Sequence, residues 1–304
     1  MTGTLIIAGY TLRECVRRRV FVVVLVLSAL FLGLYWLGTA SAFDEARLLT
    51  GRAAFDEKVL VGSTLLGLAM FTTLFLGAVL AAFLTLNGVR GDADRGLLQP
   101  LVVRPVGRTT VLAGRFAAAG VVCVAYVLAM YGVAVLITGA TGDWWPDEAL
   151  GPALGLAAGV VIIAGLSLLG SVWLSATANG IAIFMLFGAG LAAGLLGQIG
   201  EALQADTLKT VAEITSWALP FEALYQAGLH GLTSETSGIT GVVVELGPFG
   251  GAQEGGDLLW PWAVAYMGVV AALARLGFAR RDLEGRARGA LAYHRRGARP
   301  PRAP

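Results

Sequence analysis

The sequence predicts an all-α integral membrane protein with six transmembrane helices. Of its 304 residues, 57% are apolar and only 14% are charged, whereas a soluble domain is about a quarter charged. The mean hydropathy of +0.75 agrees with this composition. The apolar residues form continuous runs rather than alternating with polar ones. Helices are therefore favoured over a β-barrel, because lipid offers the backbone no hydrogen-bond partner outside its own segment.

Six runs are long enough to cross a bilayer, whose core of about 30 Å needs about 20 helical residues. No charge occurs over residues 149–200, a length too great for one span, and the SATANG sequence at 175–180 supplies the turn that divides it. Arg275 lies near the basic end of the last run, where its side chain can reach the headgroups. The predicted spans are residues 20–37, 59–87, 116–137, 151–174, 180–198 and 258–279.

Charge sets the predicted orientation. Most of the 22 basic residues lie before the first span, in the loop after the second span and in the tail, whereas most of the 20 acids fall on the other side. The positive-inside rule therefore places both termini in the cytoplasm. Arginine outnumbers lysine, and alanine and glycine are abundant, which indicates a bacterial source and hence the plasma (inner) membrane. A cleaved signal peptide is disfavoured, because the first apolar run exceeds a usual signal-peptide core.

Residues 1–279 are predicted to form a single transmembrane domain, followed by a basic cytoplasmic tail at 280–304 that is partly disordered. Anionic lipid attracts such a tail. Binding of nucleic acid by this tail is disfavoured, because no aromatic residues interleave with the basic ones. The N-terminal segment predicts a helix in the cytoplasmic interface, with a plain basic flank as an equal alternative. Its apolar and basic faces comprise Leu5, Ile6, Leu12, Val16, Arg13 and Arg17.

The extracytoplasmic connections differ in length. Residues 39–58 form a short outer loop whose acids suggest two helical fragments, whereas 199–257 form a long segment between spans five and six. The first half of this long segment has apolar residues at helical spacing and a break at Pro220, which predicts two short amphipathic helices against the outer membrane surface. The glycine-rich second half is a lid, a docking loop for an extracytoplasmic partner, or a mobile connection.

The sequence lacks the residues that most membrane catalysts and ion carriers need. The spans contain almost no ionisable groups, which disfavours a proton-driven carrier. His230 and His294 fall on opposite sides of the membrane, so they cannot share a metal site or a catalytic centre. Neither Lys58 nor Lys209 follows a glycine, which excludes the P-loop pattern of ATPases. The chain is therefore not expected to be an enzyme by itself or to bind a metal, and Cys15 and Cys123 are not expected to pair.

Small and hydroxyl-bearing residues within the spans have two interpretations. Hydroxyls usually bond neighbouring helices, with lining of a substrate path as the alternative; the path candidates are Thr72, Thr73, Ser167 and Ser171. Close glycine pairs allow helices to approach, either within one subunit or between two. These pairs are Gly151 with Gly155, Gly155 with Gly159, and Gly190 with Gly194.

The loop at 92–115 is the most informative stretch. It follows a cytoplasmic span end, begins with Asp92 and Asp94, continues with leucines and is stopped by Pro105. This order predicts a short amphipathic helix presented to the cytosol. The alternative is a solvated basic loop that only fixes topology.

At this loop the chain resembles the permease subunits of ABC-2 type transporters, especially the six-span bacterial kind that includes the permease of the nitrous-oxide reductase maturation system. That family has an acid-x-Gly-Thr element, a leucine-rich turn, Pro-x-x-Arg, an apolar pair and Gly-Lys before the third span. The matching residues here are Asp94, Arg95, Gly96, Leu97, Leu98, Arg104, Pro105, Arg108, Val111, Leu112, Gly114 and Arg115. This chain departs from the pattern with Leu97 for threonine, Arg115 for lysine, and an added Pro100.

The resemblance implies a permease subunit of an ATP-driven exporter for an apolar or amphipathic substrate such as a lipid or a drug. Two permease copies would pair, and each would dock a cytosolic ABC ATPase that carries ATP and Mg. The contact would be the coupling helix after span two, whose implied residues are Asp92, Asp94, Arg95, Gly96, Leu97, Leu98, Leu101, Arg104, Pro105 and Arg108. The alternative is a scaffold or mechanotransmitting subunit that couples an ATPase to an extracytoplasmic partner without transporting a small molecule.

Overall fold

The computed structural model describes residues 19–49, 57–86, 108–233 and 255–279, together with residues 9 and 13. These ranges are helical almost throughout and contain no strand. The helices, numbered in chain order, are α1 (Arg19–Leu49), α2 (Glu57–Thr85), α3 (Arg108–Gly142), α4 (Leu150–Trp173), α5 (Ala176–Ala202), α6 (Asp206–Ala218), α7 (Pro220–Thr233) and α8 (Leu259–Ala279).

Six of these helices are long and apolar enough to cross a membrane. The membrane-length segments are Arg19–Glu45, Lys58–Thr85, Thr109–Gly142, Leu150–Trp173, Ala176–Ala202 and Leu259–Phe278. Each overlaps one predicted span, so the predicted all-α class with six membrane helices is confirmed. The helices extend past several predicted span ends, because a helix continues into the interface until a turn residue stops it.

Helix α4 is the centre of the bundle. It packs against α2, α3, α5, α7 and α8, and its mean apolar character is the highest of the described helices. In the most apolar stretch of α4, 67% of the residues are buried, whereas 17% are buried in the corresponding stretches of α1 and α8. The outer helices α1 and α8 therefore present most of their apolar surface outwards, to lipid or to another protein.

The two ends of the bundle differ. The starts of α1, α3 and α5 and the ends of α2, α4 and α8 lie at one end, which we call the basic end because most arginines of the sequence precede or follow these helix ends along the chain. Helices α6 and α7 lie at the opposite end, which we call the hairpin end. At the hairpin end, Phe43 of α1 contacts Gly142, and Trp145 contacts Gly139.

Helix α1 also corrects the prediction for the first outer loop. It continues without interruption to Leu49, so residues 39–49 extend the membrane helix rather than forming a separate fragment.

Two tyrosines of the α1–α3 interface hold this long helix in place. Tyr126 donates to Ser28 at 2.6 Å, because the Ser28 hydroxyl itself donates to the Val24 carbonyl. Tyr35 and Thr138 form the matching bond at 2.6 Å nearer the hairpin end.

The turn between α4 and α5 lies within the predicted SATANG sequence. Leu174 is extended, and Ser175 caps α5 by accepting a hydrogen bond from the Ala178 amide at 3.4 Å. A serine in extended conformation at this position satisfies an amide that the first turn leaves without a partner. The chain thus reverses at the residues that the sequence indicated.

The predicted pair of short helices between spans five and six is confirmed as α6 and α7, with Pro220 as the first residue of α7. Only α7 differs from the prediction of two surface helices. Helix α6 has no buried residue and packs on α5. Helix α7 instead packs along α4, and Phe221 and Leu224 are each only 1% exposed. The second helix is therefore part of the core.

Candidate functional site

The predicted coupling residues lie between α2 and α3 at the basic end. Arg108 is the first residue of α3, while Asp92, Asp94, Arg95, Gly96, Leu97, Leu98, Leu101, Arg104 and Pro105 lie outside the described residues. The two flanking helices pack against each other and against α4. The coupling-helix assignment therefore stays a prediction.

The predicted interfacial helix is described at only two positions. Arg13 is helical and exposed, as is Gly9. Leu5, Ile6, Leu12, Val16 and Arg17 lie outside the described residues, so the interfacial assignment stays a prediction.

The four path candidates lie in the α2–α4 region of the bundle. Thr72 is half-buried and donates to the Leu68 carbonyl at 3.0 Å. Thr73 and Ser171 are fully buried and donate to carbonyls of their own helices, each at 2.7 Å. Ser167 is also buried, and its hydroxyl lies 3.5 Å from the Ala82 carbonyl of α2. The substrate-path interpretation of these four residues therefore stays a prediction.

A buried amide joins α4 to α5 near the basic end. The Asn179 Nδ2 group donates to the Ser167 carbonyl at 2.8 Å, and Asn179 is 0% exposed. Its Oδ1 atom has no hydrogen-bond partner but lies against Gly170 of α4. A side chain at position 170 would meet this oxygen, so the glycine is required for the close approach. This contact is a structural cross-link between consecutive membrane helices.

The predicted glycine pairs pack within this subunit, mostly around α7. A Cβ atom at Gly155 would lie 2.8 Å from the Leu224 carbonyl oxygen, and one at Gly159 would lie 3.2 Å from that of Phe221. Gly190 of α5 faces the Phe221 ring, and Gly194 faces Glu222. The glycines therefore allow α7 to enter between α4 and α5 with backbone contact on one side.

Entry of α7 forms one wall of an open polar cavity that the sequence did not reveal. The cavity lies between α5, α6 and α7, with a volume of about 240 Å³. Glu222 is 1% exposed and Gln226 is 5% exposed. The Gln226 Nε2 group donates to Glu222 Oε1 at 2.6 Å, one helical turn away. The one available signal was an acid within the otherwise apolar turn that follows Pro220.

Burial changes the ionisation of the groups on α7. It raises the pKa of Glu222 to about 8, and the hydrogen bond from Gln226 only partly opposes that rise. Burial likewise raises the pKa of Tyr225, and the neighbouring Glu222 charge raises it further. A carboxyl group in this environment resists ionisation because the interior solvates its charge poorly. The ionised form of Glu222 would therefore be stabilised by a ligand that places a positive charge beside it.

The comparison with known families agrees with this architecture. The family model described as ABC-2 family transporter protein matches residues 5–283. The chain belongs to the ABC-2 transporter family. No curated protein matches it.

Membership defines the class of the protein. An ABC-2 chain is the membrane-spanning permease component of an ABC transporter, and the family associates with an ABC ATPase. The match spans all eight described helices. Together with the six apolar helices, it makes this ABC-2 chain a multi-pass membrane protein.

Proposed function

We propose that this ABC-2 chain is the permease subunit of an exporter that moves an apolar or amphipathic substrate across a bacterial plasma membrane. Two copies pair, and each docks a separate ATPase subunit that binds ATP and Mg and carries out the hydrolysis. Both termini and the basic end face the cytosol in this proposal. The supporting observation is the array from Asp94 to Arg115, which joins two packed helices of the bundle at its basic end.

The physical task of this segment is to bias the bundle between two states. Nearly complete switching between two conformations needs about 5.5 kcal/mol of differential interaction. A helix that is anchored by α2 and α3 can deliver part of that energy to α4, because both flanking helices pack on α4. The apolar side chains Leu97 and Leu98 are the proposed anchors in the ATPase surface, since the buried core of a protein interface is more apolar than its rim.

Replacement of these leucines tests the proposal. Leu97→Asp and Leu98→Asp are expected to weaken co-purification with the partner ABC ATPase by about tenfold or more, because a buried carboxylate in the interface loses its water. ATP turnover in proteoliposomes is expected to fall with it. Leu203→Asp makes the same change at an exposed residue of the hairpin end and should leave association unchanged.

Two results would contradict the proposal in different ways. Unaltered association and turnover in both variants would show that this loop is not the ATPase contact. Normal coupling to the ATPase without movement of any amphipathic molecule would instead support a mechanotransmitting subunit.

A further inference from the structure

The polar cavity at the hairpin end has an acidic lining. Three carboxylic acids and one lysine face it: Glu201 from α5, Lys209 and Glu213 from α6, and Glu222 from α7. The remaining walls are alanine and glycine of α5, Ala212 and Ser216 of α6, and Gln226 of α7. Because acids outnumber the single lysine, this lining favours a group with a positive charge, and a volume of about 240 Å³ suits a small one.

Glu222 is the deepest acid of this lining. Glu201 and Glu213 are exposed to water at the rim, whereas Glu222 is 1% exposed. Gly194 directly faces its Oε1 atom, and the presence of a side chain there would push the carboxyl group aside. The fold thus keeps space for a buried acid that accepts a hydrogen bond from the neutral amide of Gln226. Such an acid either keeps its proton or ionises beside a cation that offsets the loss of hydration.

A second, more apolar cavity adjoins the first. It has a volume of about 510 Å³ and shares Ser216 and Gln226 with the polar cavity. Its other walls include Trp217, Leu259 and Trp262. The two indole rings pack edge to face at 5.5 Å, and Trp262 Nε1 donates to the Trp217 carbonyl at 3.0 Å. These fixed aromatic walls suit an alkyl or aryl group.

We propose that the two cavities form one binding site for an amphipathic amine, with the ammonium group beside Glu222 and the apolar part against Trp217 and Trp262. The combined space falls within the range of about 300–1,000 Å³ that is typical of small-molecule sites. This inference deepens the proposed function by naming a substrate class. Transport of the bound amine rests on the proposed exporter function, whereas binding of the amine does not.

Equilibrium binding tests this site without the ATPase. The full-length chain in lipid nanodiscs is titrated with 4-phenylbutylamine and, in parallel, with its neutral analogue 4-phenylbutanol, by calorimetry and tryptophan fluorescence. The amine is expected to bind saturably and more tightly than the alcohol. Glu222→Gln keeps the shape and the acceptor for Gln226 and is expected to weaken amine binding by about tenfold or more. The matched change Glu148→Gln, at an exposed acid outside both cavities, should bind like the wild type.

The pH dependence supplies a second measurement. Burial raises the pKa of Glu222 to about 8, so amine affinity in the wild type should rise between pH 6 and pH 8 as the carboxyl group ionises. Glu222→Gln should lack this rise, although Glu201, Lys209, Glu213 and Tyr225 remain in place around it and Asp257 remains in the wall of the second cavity. Equal rises in both proteins would place the titrating group elsewhere and overturn the assignment.

Two comparisons of binding affinity also test the proposed amine site. Equal affinity of the wild type and Glu222→Gln for the amine, or equal affinity of the wild type for the amine and the alcohol, would overturn the proposal. Thermal unfolding of Glu222→Gln at pH 6 identifies a folding defect, and Gly194→Ala then provides a second test, because its methyl group obstructs the same space. Loss of ATPase association in Leu97→Asp with retained amine binding would affect the exporter proposal alone.

Discussion

The carboxyl group of Glu222 shows how a single residue acquires properties that its type does not carry. An exposed glutamate ionises near pH 4.5, whereas this one has a pKa of about 8 because it is buried. Between these values the folded chain retains a proton that the unfolded chain has released. The contribution of Glu222 to the free energy of unfolding is therefore fully present below about pH 4.5 and is lost as the pH rises through about 8.

Thermal unfolding in detergent from pH 5 to pH 9 measures this effect. The wild type is expected to lose stability as the pH rises, and Glu222→Gln is expected to lose less, because glutamine has no proton to release. The exposed variant Glu148→Gln is the control, with a pH dependence like that of the wild type. Parallel curves for the wild type and Glu222→Gln would show that Glu222 is not the group that titrates.

At the residue scale, the sequence indicated which side chains were unusual but not their partners. The hydroxyls of Thr73 and Ser171 are bonded inside their own helices, in line with the packing interpretation. Glu222 was the exception, because an acid in a predicted outer segment is ordinarily solvated and nothing local marked it as a site residue. Its burial depends on contacts with α4 and α5 that are distant in sequence, and no local pattern records them.

At the element scale, α7 is the helix whose placement matters most. Its local sequence is moderately amphipathic, as in a surface helix, yet it packs along α4 through Gly155 and Gly159. The glycine spacing in α4 signalled a close helix contact without identifying the partner. A peptide backbone can approach another only where no Cβ intervenes, so these glycines determine how deeply α7 enters.

Substitution of Gly155 tests this packing. Gly155→Ala places a methyl group 2.8 Å from the Leu224 carbonyl oxygen, which belongs to backbone and cannot turn away. We expect a loss of about 1–3 kcal/mol, typical of an overpacked core, measured as a lower midpoint of thermal unfolding. Gly151→Ala in the same helix meets only the flexible Glu148 side chain at 3.4 Å and should be neutral or slightly stabilising. Equal midpoints for the two variants would contradict the proposed backbone contact.

At the scale of the whole molecule, the distribution of charge predicts how the chain is oriented in the membrane. The basic end and the hairpin end are separated by six apolar helices, and the positive-inside rule predicts that the basic end faces the cytosol. The weak burial of α1 and α8 leaves two apolar faces for lipid or a second copy. Pairing of two permeases remains part of the proposed function.

Cysteine labelling measures the orientation directly. Single cysteines are introduced by Asp147→Cys at the hairpin end and Thr177→Cys at the basic end, both at exposed positions, in a background that carries Cys15→Ser and Cys123→Ala. A membrane-impermeant maleimide should label the first variant in intact cells and the second only after permeabilisation. The reverse pattern would place the termini outside and remove the ATPase contact from the cytosol.

By itself, the sequence determined the membrane class, the six helices, the turn at Ser175 and the two short helices before the last span. These features are local, since each needs only an apolar run of sufficient length or a residue that ends a helix. Only the tertiary structure decided that α4 is central, that α7 lies in the core and that the buried Glu222 lines a polar cavity. Those features depend on which helices meet, and helix pairing is set by surface shape across residues far apart in the chain.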